Sequence, residues 1–313
     1  MSIEKTLIDS LIEISSRAAH AAFNFSGKKD KIAADKAAVD SMRSNLNKLD
    51  INGKVVIGEG ELDKAPMLFI GENLGTKNGP DIDIAVDPLE GTNFVANDMP
   101  GALSVIAIGE KNSLFSAPET YMDKIAANIK DQEVIDLDYP LKKNIENLSY
   151  YKKKKIDELT VCLLDRPRHN HIKKELKNLG VKLKLISDGD VAGALLVVEE
   201  KYNVDMFMGI GGGPEGVLAA SALDSFGCFF QGKFIFDTPE AKNRAKSMGI
   251  REFDKKYNLN EIITGDTIFC ATGITSGDLV TGIENKDNCF LSETFVTHKN
   301  SSLRKIIKKT FML

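Results

Sequence analysis

The chain has few soft ligands. Its 313 residues include four cysteines and four histidines. Cys162, Cys228, Cys270 and Cys289 form no C-x-x-C pair and lie mostly among apolar neighbours, as buried reduced thiols do. So few thiols and imidazoles argue against a structural zinc framework and leave oxygen as the expected ligand for any metal. Long apolar runs are lacking too, and no uncharged stretch approaches the roughly 18 residues that span a bilayer. The opening Met1-Ser2-Ile3-Glu4-Lys5 carries an acid early and has no secretory pattern, so a soluble cytoplasmic protein is expected. Positive charge is not in excess. The 41 Lys+Arg face 45 Asp+Glu, a net charge of −4, which excludes a generally basic, nucleic-acid-coating surface.

What is present suits a folded enzyme. Apolar residues make up 42% and charged residues 27%, enough for a substantial core and too apolar for a disordered chain. The length fits one large or two smaller domains. Ile3, Leu7, Leu11 and Ile14 recur at helical spacing until Ser26-Gly27 breaks the pattern. A second helix is predicted over residues 30–48, with Ala33, Ala37, Ala38, Met42 and Leu46 on one side. Short β-branched runs at 55–57, 82–86 and 103–108 read as strands. Beyond residue 160, strands at 161–164, 181–186 and 204–208 alternate with helices near 169–179, 191–201 and from Pro214 onward. That rhythm predicts a parallel sheet with helices on its faces, and functional groups at the carboxyl ends of its strands. The basic run Lys152-Lys153-Lys154-Lys155 reads as a solvated face near a domain boundary. The expected division is a catalytic α/β half over residues 1–145 and a substrate-binding half over 146–313 with a predominantly parallel sheet.

Two acidic stretches carry the chemistry. Gly58-Glu59-Gly60-Glu61-Leu62-Asp63 places three acids within five residues just after a strand. Asp87-Pro88-Leu89-Glu90-Gly91-Thr92 again follows a strand with acids, and Pro88 is expected to end that strand. Gly91-Thr92 reads as the entry to a short helix, with Thr92 as a possible N-cap. Acids gathered at strand ends repel one another unless a hard cation such as Mg²⁺ or Mn²⁺ relieves them. Phosphate oxygens are the usual companions of such a cation.

Asp87-Pro88-Leu89-Glu90-Gly91-Thr92 resembles the D-P-[IL]-[DE]-G-T signature of lithium-sensitive, metal-dependent phosphatases. Val56-Ile57-Gly58-Glu59-Gly60-Glu61, Ala65-Pro66-Met67-Leu68, Ser187-Asp188-Gly189-Asp190-Val191-Ala192 and Gly209-Ile210-Gly211-Gly212-Gly213-Pro214-Glu215-Gly216 narrow the resemblance to class II fructose-1,6-bisphosphatase, the GlpX type. It covers nearly the whole chain in matching order. It implies a layered α-β-α-β-α sandwich of the sugar phosphatase type, two α/β halves with the active site between them. It implies metal-dependent hydrolysis of the 1-phosphate of fructose 1,6-bisphosphate, with sedoheptulose 1,7-bisphosphate as the alternative substrate. Mg²⁺ or Mn²⁺ would be held by Asp35, Glu59, Asp87, Glu90 and Glu215, generating a nucleophilic water and stabilising the leaving oxygen. Lys31 would face the site one helical turn from Asp35. Glu61 and Asp63 would help position the attacking water, and Thr92, bonded to Glu59 or a neighbouring acid, would orient it. Arg166, Pro167 and Arg168 would supply the second phosphate anchor, with forks that suit phosphate. Glu90, Gly91, Thr92, Tyr121, Asp188, Gly189, Asp190 and Gly212 would complete the sugar pocket, Asp188 and Asp190 accepting hydroxyl hydrogen bonds. Asp190 also reads as a cap for the following helix. A homo-oligomer, dimer or tetramer, is expected, with no nucleic-acid or membrane partner. The chain departs from the family in Gly213 and Arg166 and is shorter than typical members around residues 226–237.

Two rival readings bear on the same residues. Gly211-Gly212-Gly213-Pro214-Glu215-Gly216 also fits the dinucleotide-binding G-x-G-x-x-G between a strand and a helix. Glu215 would oppose a pyrophosphate there, and Pro214 removes a donor from the helix start. His169 and His171 are spaced as a zinc pair but have no third soft ligand nearby, so a phosphate-facing or exposed role is expected of them.

Overall fold

Periodicity becomes structure from the first turn onward in this computed structural model, which describes residues 6–58 and 67–313. The first pattern forms α1 (Leu7–Phe23) and the second α2 (Lys31–Leu46). Asp30 caps α2, its carboxylate accepting the Ala33 N–H at 2.9 Å. There follow β1 (Asn52–Ile57), β2 (Asn73–Leu74), β3 (Asp81–Glu90), α3 (Thr92–Ala96), β4 (Leu103–Glu110), β5 (Tyr121–Ala127) and α4 (Leu141–Lys152). The middle of the chain gives β6 (Thr160–Leu164), α5 (Asn170–Asn178), β7 (Lys182–Ile186), α6 (Asp190–Leu195), β8 (Met206–Gly212), α7 (Gly213–Phe226) and β9 (Phe229–Ile235). The chain closes with α8 (Pro239–Ser247), β10 (Lys256–Asn258), α9 (Leu259–Ile262), β11 (Thr267–Gly273), β12 (Glu284–Lys286), β13 (Cys289–His298) and β14 (Leu303–Met312).

Among the described residues these strands form two sheets. One has eight strands in the order β12-β13-β11-β4-β3-β1-β2, with β14 on β13. The other has six, in the order β10-β9-β5-β8-β6-β7. Burial assigns the layers. Leu11 and Ile12 of α1 and Met42 of α2 pack on Ile84, Ile106, Ile268 and Val296, on one face of the larger sheet. Val217, Leu218 and Leu223 of α7 share a cluster with Val105 and Phe269 of that sheet and with Met122 and Phe230 of the smaller one. Ile145 and Leu148 of α4 and Leu176 of α5 cover the far face of the smaller sheet, against Ile125, Val161 and Met206. The order is α-β-α-β-α, the expected layering. It explains two compositions. β3 is buried on both faces at its centre, where Ile84-Ala85-Val86 is continuously apolar. α7 lies between two sheets and is apolar nearly all round.

Four expectations need correction. β6 pairs in parallel with β7 and β8, but β5, β9 and β10 add antiparallel pairings, so the smaller sheet is mixed and not predominantly parallel. The sheets also do not divide at residue 145. β5 lies in the smaller sheet, while β11 to β14 return to the larger one. Pro88 does not end β3. The strand continues to Glu90 through a bulge, Asp87 pairing with Val105 and Glu90 with Leu103, and the missing N–H falls where the ladder is already interrupted. The helix expected near 191–201 stops at Leu195 and is followed by a short 3₁₀ turn, Glu200–Tyr202.

The thiols behave as read. Cys162, Cys228 and Cys270 are buried and reduced, and burial pushes Cys162 up to about 12 and Cys228 to about 11. Cys289 is half-buried and free. No helix among the described residues is long and apolar enough to cross a membrane.

Candidate active site

The bulge at the end of β3 decides where the acids point. It brings Asp87, Leu89, Glu90, Gly91 and Thr92 to the wall of a cavity of about 320 Å³ between the two sheets. The opposite wall comes from the smaller sheet: Tyr121 on β5, Leu164 at the end of β6 with Arg166 and Arg168 after it, Asp188, Gly189 and Asp190 after β7, Gly211 and Gly212 at the end of β8, and Glu215 on the following α7. Residues far apart in sequence thus converge at the carboxyl ends of β6, β7 and β8, where such sheets place their ligands.

Glu90 ties the walls together. Its carboxylate accepts the Val191 N–H at 2.6 Å and the Ala192 N–H at 3.3 Å, and so caps α6 from across the cleft. Burial, with Glu215 and Asp190 nearby, pushes the Glu90 carboxyl up to about 8 despite those two amides. Glu215 is raised in the same direction, mainly by burial, with Lys124 opposing the shift. Room for these acids is cut into the backbone. A Cβ on Gly211 would lie 2.0 Å from Asp190 Oδ2, and one on Gly212 would lie 1.8 Å from Glu215 Oε2. The glycine run is therefore a cradle for carboxylates. The dinucleotide reading needs the same space for a pyrophosphate and finds two acids in it.

The basic wall is held differently. Arg168 Nε donates to the Ile210 carbonyl at 2.9 Å, and its guanidinium lies 5.0 Å from the centre of the half-exposed Tyr121 ring. Arg166 Nη2 stands 3.7 Å from Asp188 Oδ1. Pro167 opens the 3₁₀ turn Pro167–His169 and does not line the cavity.

His169 is neither phosphate-facing nor exposed, against expectation. It is fully buried, with Nδ1 at 2.8 Å from the Leu164 carbonyl and Nε2 at 2.8 Å from the Ile210 N–H. A carbonyl only accepts and an amide only donates, so Nδ1 carries the proton and the ring is neutral. Burial also lowers its pKa. The imidazole replaces ladder bonds where β6 and β8 separate after Cys162–Phe207, fixing the arginine turn to β8. His171 is exposed on α5, so the two rings share no metal.

Other sequence candidates fall as follows. Glu59, Gly60, Glu61 and Asp63 lie outside the described residues. Asp35 and Lys31 do not line the cavity, and Lys31 is exposed. α2 nevertheless packs beside the site, with Ala34 and Ala38 in one cluster with Leu89 and Phe94. Asp35 Oδ1 is buried there with no hydrogen-bond partner among the described residues, and burial raises the carboxyl. Thr92 is not an N-cap, since that position falls on Gly91. Asp190 is not a cap either, since Gly189 holds that position and Asp190 is engaged by Lys124. Among the described residues no three His, Cys, Asp or Glu side chains are gathered closely enough to hold a metal ion.

Lys124 is the site residue that sequence reading missed. It is 1% exposed, and Nζ donates to Asp190 and, at 2.7 Å, to the Gly212 carbonyl. A signal was available. Met122, Lys124 and Ala126 share one strand face, and the two apolar ones are buried. A lysine on a core-facing row implies a buried partner.

An acid cradle facing an arginine wall, at the strand ends of a layered α/β fold, defines a phosphate-handling enzyme. Comparison with known proteins gives the family. The family model for bacterial fructose-1,6-bisphosphatase, glpX-encoded, matches residues 5–311, and the chain belongs to that family. A relative from Synechocystis sp., the D-fructose 1,6-bisphosphatase class 2/sedoheptulose 1,7-bisphosphatase, is 38% identical over 99% of this chain and 97% of its own. A relative of the same name from Trichormus variabilis is 41% identical over 90% of this chain and 89% of its own. Among solved structures, the extragenic suppressor protein suhB from Bartonella henselae covers 63% of this chain and 73% of its own at 9% identity, with a TM-score of 0.37.

Proposed function

We propose that this protein hydrolyses the 1-phosphate of fructose 1,6-bisphosphate to give fructose 6-phosphate and inorganic phosphate. The observation that carries the reading is the meeting of Asp87, Glu90, Thr92 and Glu215 with Arg166, Arg168 and Tyr121 around one cavity. A monophosphate needs only the acid wall, whereas a bisphosphate uses both.

The donor set fits Mg²⁺ or Mn²⁺. The ligands are all oxygen, burial and neighbouring carboxylates push Glu90 and Glu215 toward protonation, and Asp35 has a buried oxygen without a described partner. Among the described residues Asp87, Glu90 and Glu215 share the cavity wall without being gathered into a ligand set; with Asp35, Glu59 and substrate phosphate oxygens they would hold the cation. When bound, it supplies Lewis acidity toward phosphoryl oxygen and lowers the pKa of water.

The chain's own groups do the rest. Arg166 and Arg168 bind the phosphate that is kept, with Tyr121 stacked beside Arg168. Asp188 and Asp190 accept sugar hydroxyls. Thr92 orients the attacking water, and we assign Glu59, Glu61, Asp63 and Lys31 to the same step. Water oxygen bonds to phosphorus, the bond from phosphorus to the C1 oxygen breaks, and that oxygen takes a proton. Sedoheptulose 1,7-bisphosphate differs by one CHOH unit and is the second substrate, in line with the names of the relatives. We place the enzyme in the cytoplasm as a homo-oligomer.

Phosphate release with Mg²⁺ or Mn²⁺ tests the proposal. The expected result is a kcat/KM for both bisphosphates well above that for inositol or nucleotide monophosphates. Equal rates on all of them would sink it.

A further inference from the structure

The cradle that holds the acids also holds one cation of the protein's own. Lys124 enters it from β5 beneath the glycine turn. Its ammonium meets one oxygen of Asp190 and the Gly212 carbonyl, and among the described charged side chains it is the most deeply buried. Its stem and the Met122 thioether fill the space left by Gly216, where an added Cβ would lie 2.6 Å from Met122 Sδ and 3.1 Å from Lys124 Cδ. Asp190 is itself 7% exposed. With Oδ2 engaged by Lys124, Asp190 Oδ1 is buried and has no hydrogen-bond partner among the described residues, and Asp190 is one of the residues that line the cavity.

A buried carboxylate with one oxygen fixed and the other open is an acceptor prepared for a ligand hydroxyl. An ammonium bonded to the other oxygen stops the carboxylate turning away. The same ammonium fixes the Gly212 carbonyl and so the start of α7, which carries Glu215. We infer that Lys124 is a positioning residue for sugar recognition: by clamping Asp190 and Gly212 from below, it presents the free oxygen of Asp190 to a sugar hydroxyl.

This inference rests on the bisphosphatase reading, and its test separates the two. Wild-type enzyme that fails to hydrolyse fructose 1,6-bisphosphate sinks that reading before Lys124 is touched. Given activity, Lys124→Met is measured on fructose 1,6-bisphosphate and on p-nitrophenyl phosphate, which has no sugar hydroxyl. Loss of a hydrogen bond to a charged group predicts a KM for the bisphosphate raised about tenfold or more. kcat/KM for the aryl phosphate should fall by a clearly smaller factor. A purely structural role would lower both alike, together with the melting temperature, and would overturn the inference.

Lys124→Met leaves Asp190 buried without a counter-ion, so the single variant risks misfolding. The paired variant Lys124→Met/Asp190→Asn removes both charges and is compared with Asp190→Asn alone. If Lys124 acts through Asp190, the two share the same bisphosphate KM. A pair markedly worse than Asp190→Asn on both substrates refutes the assignment.

Discussion

The two walls of the cavity handle charge in opposite ways. On the acid wall, Glu90 is buried and Glu215 half-buried, both near other carboxylates, and both carboxyls are pushed up. On the arginine wall the cations are half-buried; a backbone hydrogen bond and an aromatic ring set the geometry of Arg168, and Asp188 stands beside Arg166. The first wall stores electrostatic stress that a divalent cation relieves. The second is already satisfied and waits for an anion. The difference teaches a division of labour: the acid wall should govern turnover, and the arginine wall should govern affinity.

Substitutions on the acid wall are the strongest test of that division. Thr92→Ala and Glu90→Gln, and beyond the described wall Glu59→Gln, should each lower kcat by about 10²–10³-fold, with much smaller changes in KM, as loss of transition-state stabilisation does. Steady-state kinetics on fructose 1,6-bisphosphate measures this. An unchanged kcat removes that residue from the mechanism.

Arg168→Ala should have the next largest effect. KM for the bisphosphate should rise about tenfold or more, while a monophosphate substrate changes little. A fall in kcat matching that of Thr92→Ala would break the contrast between the walls.

Acidity sharpens the comparison through Glu90. Its carboxyl is raised from 4.5 to about 8, so the folded state keeps a proton that the unfolded chain has released. The chelated protein should therefore lose stability as pH rises through that window. Added Mg²⁺ or Mn²⁺ should raise the melting temperature more at pH 8 than at pH 6, since metal and proton compete for the same carboxylate. Thermal melts with and without chelator read this out, and an equal gain at both pH values counts against Glu90 as a ligand.

The smallest effect is expected at His169, whose pKa lies below the usual 6.5. On acidification the unfolded chain binds the proton first. The stability the neutral ring contributes is full above 6.5 and lost as pH falls through the folded value. His169→Gln keeps one donor and one acceptor, so its melting temperature should depend less on pH over that range. Identical pH profiles for variant and wild type would show that the ring carries no proton-linked stability.

The sequence carried much of this. Helical periodicity located α1 and α2, and the βαβ rhythm located β6, β7 and β8, because these signals are local and repeat within a few residues. The acid and arginine motifs were also legible, since each sits within one turn of chain. Lys124, the neutral tautomer of His169 and the carboxylate cap made by Glu90 were not, because their partners lie 66, 41 and 101 residues away. The bulge at Pro88 was hidden for a related reason. A missing N–H ends a strand only if the partner strand cannot shift register around it.

By itself, then, the sequence determined which chemistry is possible: oxygen ligands without soft ones, a pair of arginine forks of a shape that suits phosphate, and glycines where side chains must approach. The tertiary structure alone decided how those groups meet. Antiparallel closure of the smaller sheet, and the return of β11 to β14 to the larger one, bring the two walls face to face. Burial between them, which no local pattern encodes, turns ordinary carboxylates into groups that call for a cation.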